Sequence, residues 1–235
     1  MNDLTQYFTS LALSASTLDA THIPAILDLQ QIVYDDLAQN EKVYIVPKDF
    51  RKLTHHFNSG GAGFGLHNGV QMVAQGLIYM PQNSEAKNGV MIMPPSSEKT
   101  KSSVIQGLLV HPHFRGNKLA HTLVQTWKDY MTTLDKPHVL AEVATENIQS
   151  WAVFLDHGLS ISCHVYDPDD QVDLYILHGN LHQPIKSCAP MHLVNMHDLE
   201  TIKKLLAQGQ VGHTWKKGAV PHIGFSPAEA VGYGL

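Results

Sequence analysis

A chain of 235 residues with 43% hydrophobic and 16% charged content is long enough to bury one sizeable core and too apolar to stay disordered. Its formal charge is −5, its pI is near 6.3, and it has no block of Lys or Arg, so the composition argues against a nucleic-acid partner. Two cysteines, Cys163 and Cys188, make no CxxC pair, no apolar stretch approaches a membrane span, and MNDLTQYFTSLALSAST carries no cationic leader; these features predict a cytoplasmic protein without a signal peptide.

The first element predicted is an amphipathic helix over 22–38, where Ile23, Ile26, Leu27, Leu29, Ile32, Val33 and Leu37 form one stripe and Thr21 is placed to cap it. A shorter helix follows from Pro47 through PKDFRKLTHHF to the break at Ser59-Gly60-Gly61. Two strand-like runs, Gly63–His67 and Val70–Met80, flank Asn68-Gly69 and predict an antiparallel hairpin. Residues 81–103 are rich in Pro, Ser, Asn and Lys and read as a long loop with a short apolar fragment at Val90–Met93.

Val104–Val110 is a short apolar run that Pro112 ends, and from Leu119 the apolar positions Leu119, Ala120, Leu123, Val124 and Trp127 fall on one helix face. The turn Arg115-Gly116-Asn117-Lys118 therefore opens directly into a helix. The first amides of a helix lack internal partners, and with the macrodipole they suit an anion such as phosphate. Gly116 lets a ligand approach the backbone, Arg115 adds a fixed fork of donors and Lys118 a mobile charge. A plain strand-to-helix connection with solvated basic residues is the other reading of this spacing. Further on, HVLAEVA at 138–144 predicts a buried strand, Asn147–His157 a helix stopped by Gly158, and Ser160–Tyr166 with Val172–Leu177 two strands around Asp167-Pro168-Asp169-Asp170. No internal repeat is legible.

This order of elements resembles the GNAT superfamily of acyl-CoA-dependent N-acyltransferases over about residues 14–180. VHPHFRGNKLA is similar to the family's pyrophosphate motif, a Gln or Arg, two residues, Gly, one residue, then Gly or Ala: Arg115 and Ala120 match, and Lys118 stands where Gly is usual. ENIQSWAVFLDHGL is similar to its penultimate helix through Asn147, Ser150, Phe154, Gly158 and Leu159. The resemblance implies an α/β (α+β) fold, a mixed, mostly antiparallel sheet of six to seven strands with about four helices, in a domain of residues 1–180. It implies acetyl-CoA as acyl donor, with the amides of Arg115, Gly116, Asn117, Lys118, Leu119 and Ala120 around the pyrophosphate. The pantetheine arm would lie along Leu109 and Val110 in the gap to the next strand, with Asn147 and Phe154 also at the cofactor. Asn147 is equally an ordinary helix N-cap, and the two roles are compatible.

The acceptor implied is a primary amine of a small molecule or peptide, attacking the thioester directly. That chemistry needs a neutral amine, a polarised carbonyl and a proton for the departing sulfur. Many family members supply the proton from a tyrosine where this chain has Phe154. Glu142, inside HVLAEVA, is the candidate base, or else a structural carboxylate; Tyr166 and Tyr175 are the candidate hydroxyls, and His111 is a base acting through water or a surface histidine. The 16 histidines include His55-His56, His111-x-His113 and His178-x3-His182, but no HExxH or Cys/His quartet, so no metal is expected. Residues 181–235 lie beyond the resemblance. They predict one helix, Asp198–Gln208, and a Gly/Pro-rich end that resists assignment; docking on the catalytic domain, a homodimer contact and a cover over the acceptor cleft are the roles open to them.

Overall fold

The computed structural model describes residues 13–82, 96–186 and 188–233, so the fragment expected at Val90–Met93 lies outside the described residues. Contacts divide the chain into two compact units, residues up to Met80 with Ile105–Trp127, and Pro81–Val104 with Lys128 onward.

The first unit holds strands β1 (Leu13–Thr17), β2 (Ala62–Asn68), β3 (Gln71–Tyr79) and most of β4 (Ser102–Val110), in that order across its sheet, with helices α1 (Ile23–Asp36) and α2 (Phe50–Asn58) and the start of α3 (Leu119–Thr133). Helix α1 buries Ile23, Ile26, Leu29 and Val33, four of the seven residues of the predicted stripe, against Leu53 of α2, Met72 and Leu77 of β3, and Leu109 of β4, while Leu27 and Leu37 are half-buried and Ile32 is exposed. Thr21 is not its cap: a 3-10 turn, Ala20–His22, precedes it, and Asp19 Oδ1 caps that turn by accepting from Thr21 N–H at 2.9 Å. The second helix starts at Phe50 rather than Pro47, because Asp49 Oδ1 accepts from Lys52 N–H at 2.7 Å. The hairpin turn is Gly69-Val70, one residue later than expected, since Asn68 still pairs with Gln71 and Gly69 supplies the positive φ.

The second unit runs β5 (His138–Ala144), α4 (Ile148–Asp156), β6 (Ser160–Asp167), β7 (Val172–Asn180), β8 (His192–Asn195), α5 (Leu199–Ala207), β9 (Gln210–Lys216) and β10 (His222–Pro227). Its strands are ordered β5-β7-β6-β9-β10-β8. Ten strands among the described residues exceed the six to seven expected because residues 181–235 add three. The Gly/Pro-rich end thus contains strands β9 and β10 and a closing 3-10 turn, Ala228–Val231. Its Val211, Ile223 and Phe225 are buried, and Gly212 sits where a Cβ would come within 2.9 Å of Ile223, so that glycine serves close packing rather than a turn. No helix among the described residues is long and apolar enough to cross a membrane.

Candidate functional site

In the first unit, β4 delivers the chain to His111, whose N–H donates to Val73 C=O at 2.8 Å. A 3-10 turn, Pro112–Phe114, follows, and Arg115 N–H donates to Pro112 C=O at 3.2 Å. Gly116 and Lys118 both take positive φ, 79° and 53°, so two of three successive residues are left-handed. The Asn117 amide Nδ2–H closes the turn on Phe114 C=O at 3.1 Å. The helical ladder of α3 starts with Thr122 N–H donating to Lys118 C=O at 3.0 Å, so the amides of Leu119 and Ala120 precede it and sit at the positive end of the helix. A Cβ on Gly116 would meet nothing within 4 Å: the position needs glycine for its φ and faces open space.

Leu119 and Leu109 are buried and anchor the two ends of this turn, while Val110 and Ala120 are half-buried. The Arg115 guanidinium is already engaged, Nη1 donating to Asp36 Oδ2 at 2.7 Å at the end of α1. His111 is not a surface residue. At 8% exposure its imidazole is held below the ordinary range, first by burial and then by His113 and Arg115. Its Nδ1 accepts from His113 N–H at 3.2 Å, which puts the neutral ring's proton on Nε2 and makes that nitrogen a donor rather than a base.

In the second unit, Asn147 caps α4, its Oδ1 accepting from Ser150 N–H at 3.2 Å. Trp151, fully buried, donates Nε1–H to Thr145 C=O at 3.0 Å and fixes the turn before the helix. Phe154 is buried on the same helix, and Gly158 ends it at φ 79°. The alternation of side chains along β5, β7 and β6 decides which catalytic candidates share a face. Glu142 pairs with Ile176, whereas Tyr175 pairs with Val143 and His164, and Tyr166 pairs with Asp173. Glu142 therefore points to one face of these strands, and Tyr166 and Tyr175 to the other. Glu142 is half-buried and Tyr166 exposed, while Tyr175 is completely buried, its hydroxyl without a partner among the described residues and its ionisation pushed up by burial.

On the face of Glu142 the structure also places a polar chain in which His178, paired by spacing with His182 in the sequence, meets His138 and Tyr233 instead. His138 Nδ1 lies 3.0 Å from His178 Nε2, and His178 Nδ1 lies 2.6 Å from the Tyr233 hydroxyl. Burial lowers His178 to about 3 and shifts His138 in the same direction, disfavouring the charged form of both rings. The available signal was a single histidine inside each of two apolar strands, His138 in HVLAEVA and His178 in VDLYILHGN. Among the described residues no group of three or more His, Cys, Asp or Glu is arranged to hold a metal ion.

The acetyltransferase (GNAT) family model matches residues 28–159, more than half of the chain. No curated protein matches the sequence. Among solved structures, the chain resembles the ribosomal-protein-S18-alanine N-acetyltransferase of Escherichia coli at 14% identity and a TM-score of 0.54, over 72% of this chain and 94% of that one. An N-acetyltransferase of Staphylococcus aureus Mu50 is similar at 12% identity and TM-score 0.55, over 72% and 98%. The yncA protein of Salmonella typhimurium, solved with its cofactor acetyl-CoA, is similar at 13% identity and TM-score 0.54, over 72% and 94%. These likenesses give the fold, an open, mostly antiparallel sheet with flanking helices. The match of the family model over residues 28–159, which takes in the strand-turn-helix at Arg115–Ala120 and the Asn147-capped helix, gives the assignment: the chain belongs to the acetyltransferase (GNAT) family.

Proposed function

We propose that the chain moves an acetyl group from acetyl-CoA to a primary amine of a small molecule or peptide by direct attack of the neutral amine on the thioester. The observation that carries this reading is the left-handed φ of 53° at Lys118, where the family's pyrophosphate motif has Gly. A lysine there costs about 1 kcal/mol or more relative to glycine, so the chain keeps the motif's backbone path against its own local preference. Amides from Arg115 to Ala120 hold the pyrophosphate, with Lys118 supplying charge. The main chain of Leu109 and Val110 takes the pantetheine arm, and Val110 N–H polarises the thioester carbonyl. Asn147 spends Oδ1 on its cap and offers Nδ2–H to the arm.

Glu142 is the candidate base on its face of the strands. Neither tyrosine shares that face, so water is the simplest proton source for the departing thiolate. Cys163 and Cys188 are free thiols, which fits a cytoplasmic setting. One observation favours a second reading, an acyl-CoA sensor or partner-binding module with little turnover: Phe154 is 2% exposed and has no hydroxyl to give. Two measurements separate the readings. Coenzyme A at millimolar concentration raises the melting temperature in both, and no shift ends both. Thioester consumption in a panel of primary amines supports the enzyme, and binding without consumption leaves the sensor.

A further inference from the structure

The second unit contains the same structure twice. Asn147 caps α4 at φ −83°, ψ 68° and Asp198 caps α5 at φ −84°, ψ 66°, each accepting a hydrogen bond from the amide three residues on, at 3.2 and 3.1 Å. Both helices have nine residues, and they end at His157 (φ −97°, ψ 11°) and Gln208 (φ −87°, ψ 9°). Glycines follow at φ 79° and 76°, Gly158 and Gly209. Before each helix the same turn closes, Asn147 N–H on Ala144 C=O and Asp198 N–H on Asn195 C=O, both at 2.9 Å. After each helix comes a hairpin, β6–β7 or β9–β10, and both hairpins carry a bulge at one place: Ser162 is skipped between Ile161 and Cys163, and His213 between Gly212 and Thr214. From the turn before the helix through the bulge the correspondences share one spacing, 51 positions; past the hairpin turn it is 48, Leu177 of β7 answering Phe225 of β10.

The two copies face each other across a local two-fold axis. The strand order β5-β7-β6-β9-β10-β8 is the same read from either end. At its centre β6 pairs antiparallel with β9 through Ile161 and Gly212, which are themselves equivalent positions. Glu146 and His197, also equivalent, approach to 3.4 Å. A residue that touches its own equivalent lies on the axis, and two such pairs define it.

The copies are not equal in equipment. The first follows the strand-turn-helix with Arg115–Ala120. The second follows LHQPIKSCAPM, a sequence with no Arg and no Gly. What the second copy does instead is grip the first. Trp215 of β9 donates Nε1–H to Asp156 Oδ1 at 2.8 Å and sets its ring edge-to-face with Trp151, centroids 6.1 Å apart. Lys203 of α5 reaches Asp173 of β7 at 3.7 Å. Two of these three contacts fall on α4.

We propose that residues 192–227 are a second copy of the strand-helix-hairpin unit at 138–180, serving as a built-in counterpart subunit that holds no acyl-CoA and braces α4, with Trp215 as the positioning residue for Asn147. The part concerning Asn147 rests on the acyl-CoA reading above, and the brace does not.

Hydrogen exchange and coenzyme A titration of the full chain test it together. Trp215→Ala speeds exchange of the α4 amides by about tenfold relative to those of α1, because the opening is local, and it raises the dissociation constant for coenzyme A severalfold. Trp215→Phe keeps the ring contact and restores most of both effects. The wild-type chain binds one coenzyme A. Unchanged α4 exchange in Trp215→Ala, or equal acceleration in α1 and α4, overturns the brace, and two coenzyme A molecules per chain overturns the empty second copy. Should Trp215→Ala fail to fold, Trp215→Leu, which lacks both the indole N–H and the ring, and Asp156→Ala, which removes the acceptor, decide in its place: an α4-to-α1 exchange ratio unchanged from the wild type in both overturns the brace. Absence of coenzyme A binding in the wild type removes the acyl-CoA reading while exchange still decides the brace.

Discussion

Arg115 and Asp36 share an ion pair at 2.7 Å, with both side chains about two-fifths exposed at 38% and 41%, so the guanidinium beside the turn proposed to take the pyrophosphate is held by a carboxylate in the free chain. An exposed pair of this kind contributes about 0–1 kcal/mol to stability, whereas charge-assisted contacts to phosphate are worth more. Arg115→Ala is expected to weaken coenzyme A binding by about 1–3 kcal/mol with little change in melting temperature. Asp36→Asn, which removes a carboxylate competing with the phosphates, should tighten binding. Calorimetric titration of both variants checks the pair, and equal dissociation constants throughout would assign Arg115 to the surface alone.

Lys118→Gly separates the strain of the turn from its charge. Glycine relieves the left-handed penalty of about 1–2 kcal/mol and gives back about 0.5–1 kcal/mol in unfolded-state entropy, so the variant should be slightly more stable. Its coenzyme A affinity should fall less steeply with salt than the wild type's, because one mobile cation near the phosphates is gone. Urea unfolding and titration at two salt concentrations read the two effects independently.

How far the sequence carried these conclusions differs by element. The stripe on α1, the strand at His138–Ala144 and the caps Asn147 and Asp198 are local consequences of periodicity and capping chemistry, and each could be read residue by residue. Strands β9 and β10 could not, because Gly212 and Gly224 look like turn residues until a facing strand shows that a Cβ would collide there. The duplication was equally hidden. Between 138–164 and its partner segment only Val143, Leu155 and Gly158 recur, as Val194, Leu206 and Gly209, and the rest of the likeness lies in backbone angles and pairing. At the site, the turn was legible because its donors are main chain. The face on which Glu142, Tyr166 and Tyr175 lie depends on register, and register is set by pairing partners distant in sequence.

Tyr175 and Phe154 make opposite predictions about one hydroxyl. The Tyr175 hydroxyl is buried without a partner among the described residues, so Tyr175→Phe should leave stability unchanged or raise it. Phe154→Tyr adds a hydroxyl to a site 2% exposed and should cost about 1–3 kcal/mol in the free protein. If that hydroxyl reaches the sulfur of bound acetyl-CoA, turnover rises even as the melting temperature falls. Tyr166→Phe, at an exposed position, should change neither. A rate loss of about 10² or more in either Tyr175→Phe or Tyr166→Phe would make that tyrosine the acid and remove water from the role.

His178 gives the fold a defined sensitivity to acid. In the native chain burial, and after it the neighbouring His138, lowers its imidazole to about 3, while the unfolded chain titrates near the ordinary 6.5. The native state thus refuses a proton that the unfolded state accepts. The resulting stability is fully present above pH 6.5 and is lost as the pH falls from there towards 3, at up to about 1.4 kcal/mol per pH unit from this one group. His138 adds to the slope in the same direction. His178→Gln breaks the contacts to His138 and Tyr233 and lowers stability at neutral pH, but it cannot titrate, so the quantity to compare is the slope and not the value. Unfolding free energies in urea at pH 7, 6, 5 and 4 should show the variant's curve flatter by about one proton between pH 6 and 4. The same slope in both proteins would mean that water reaches the His178 ring in the folded chain.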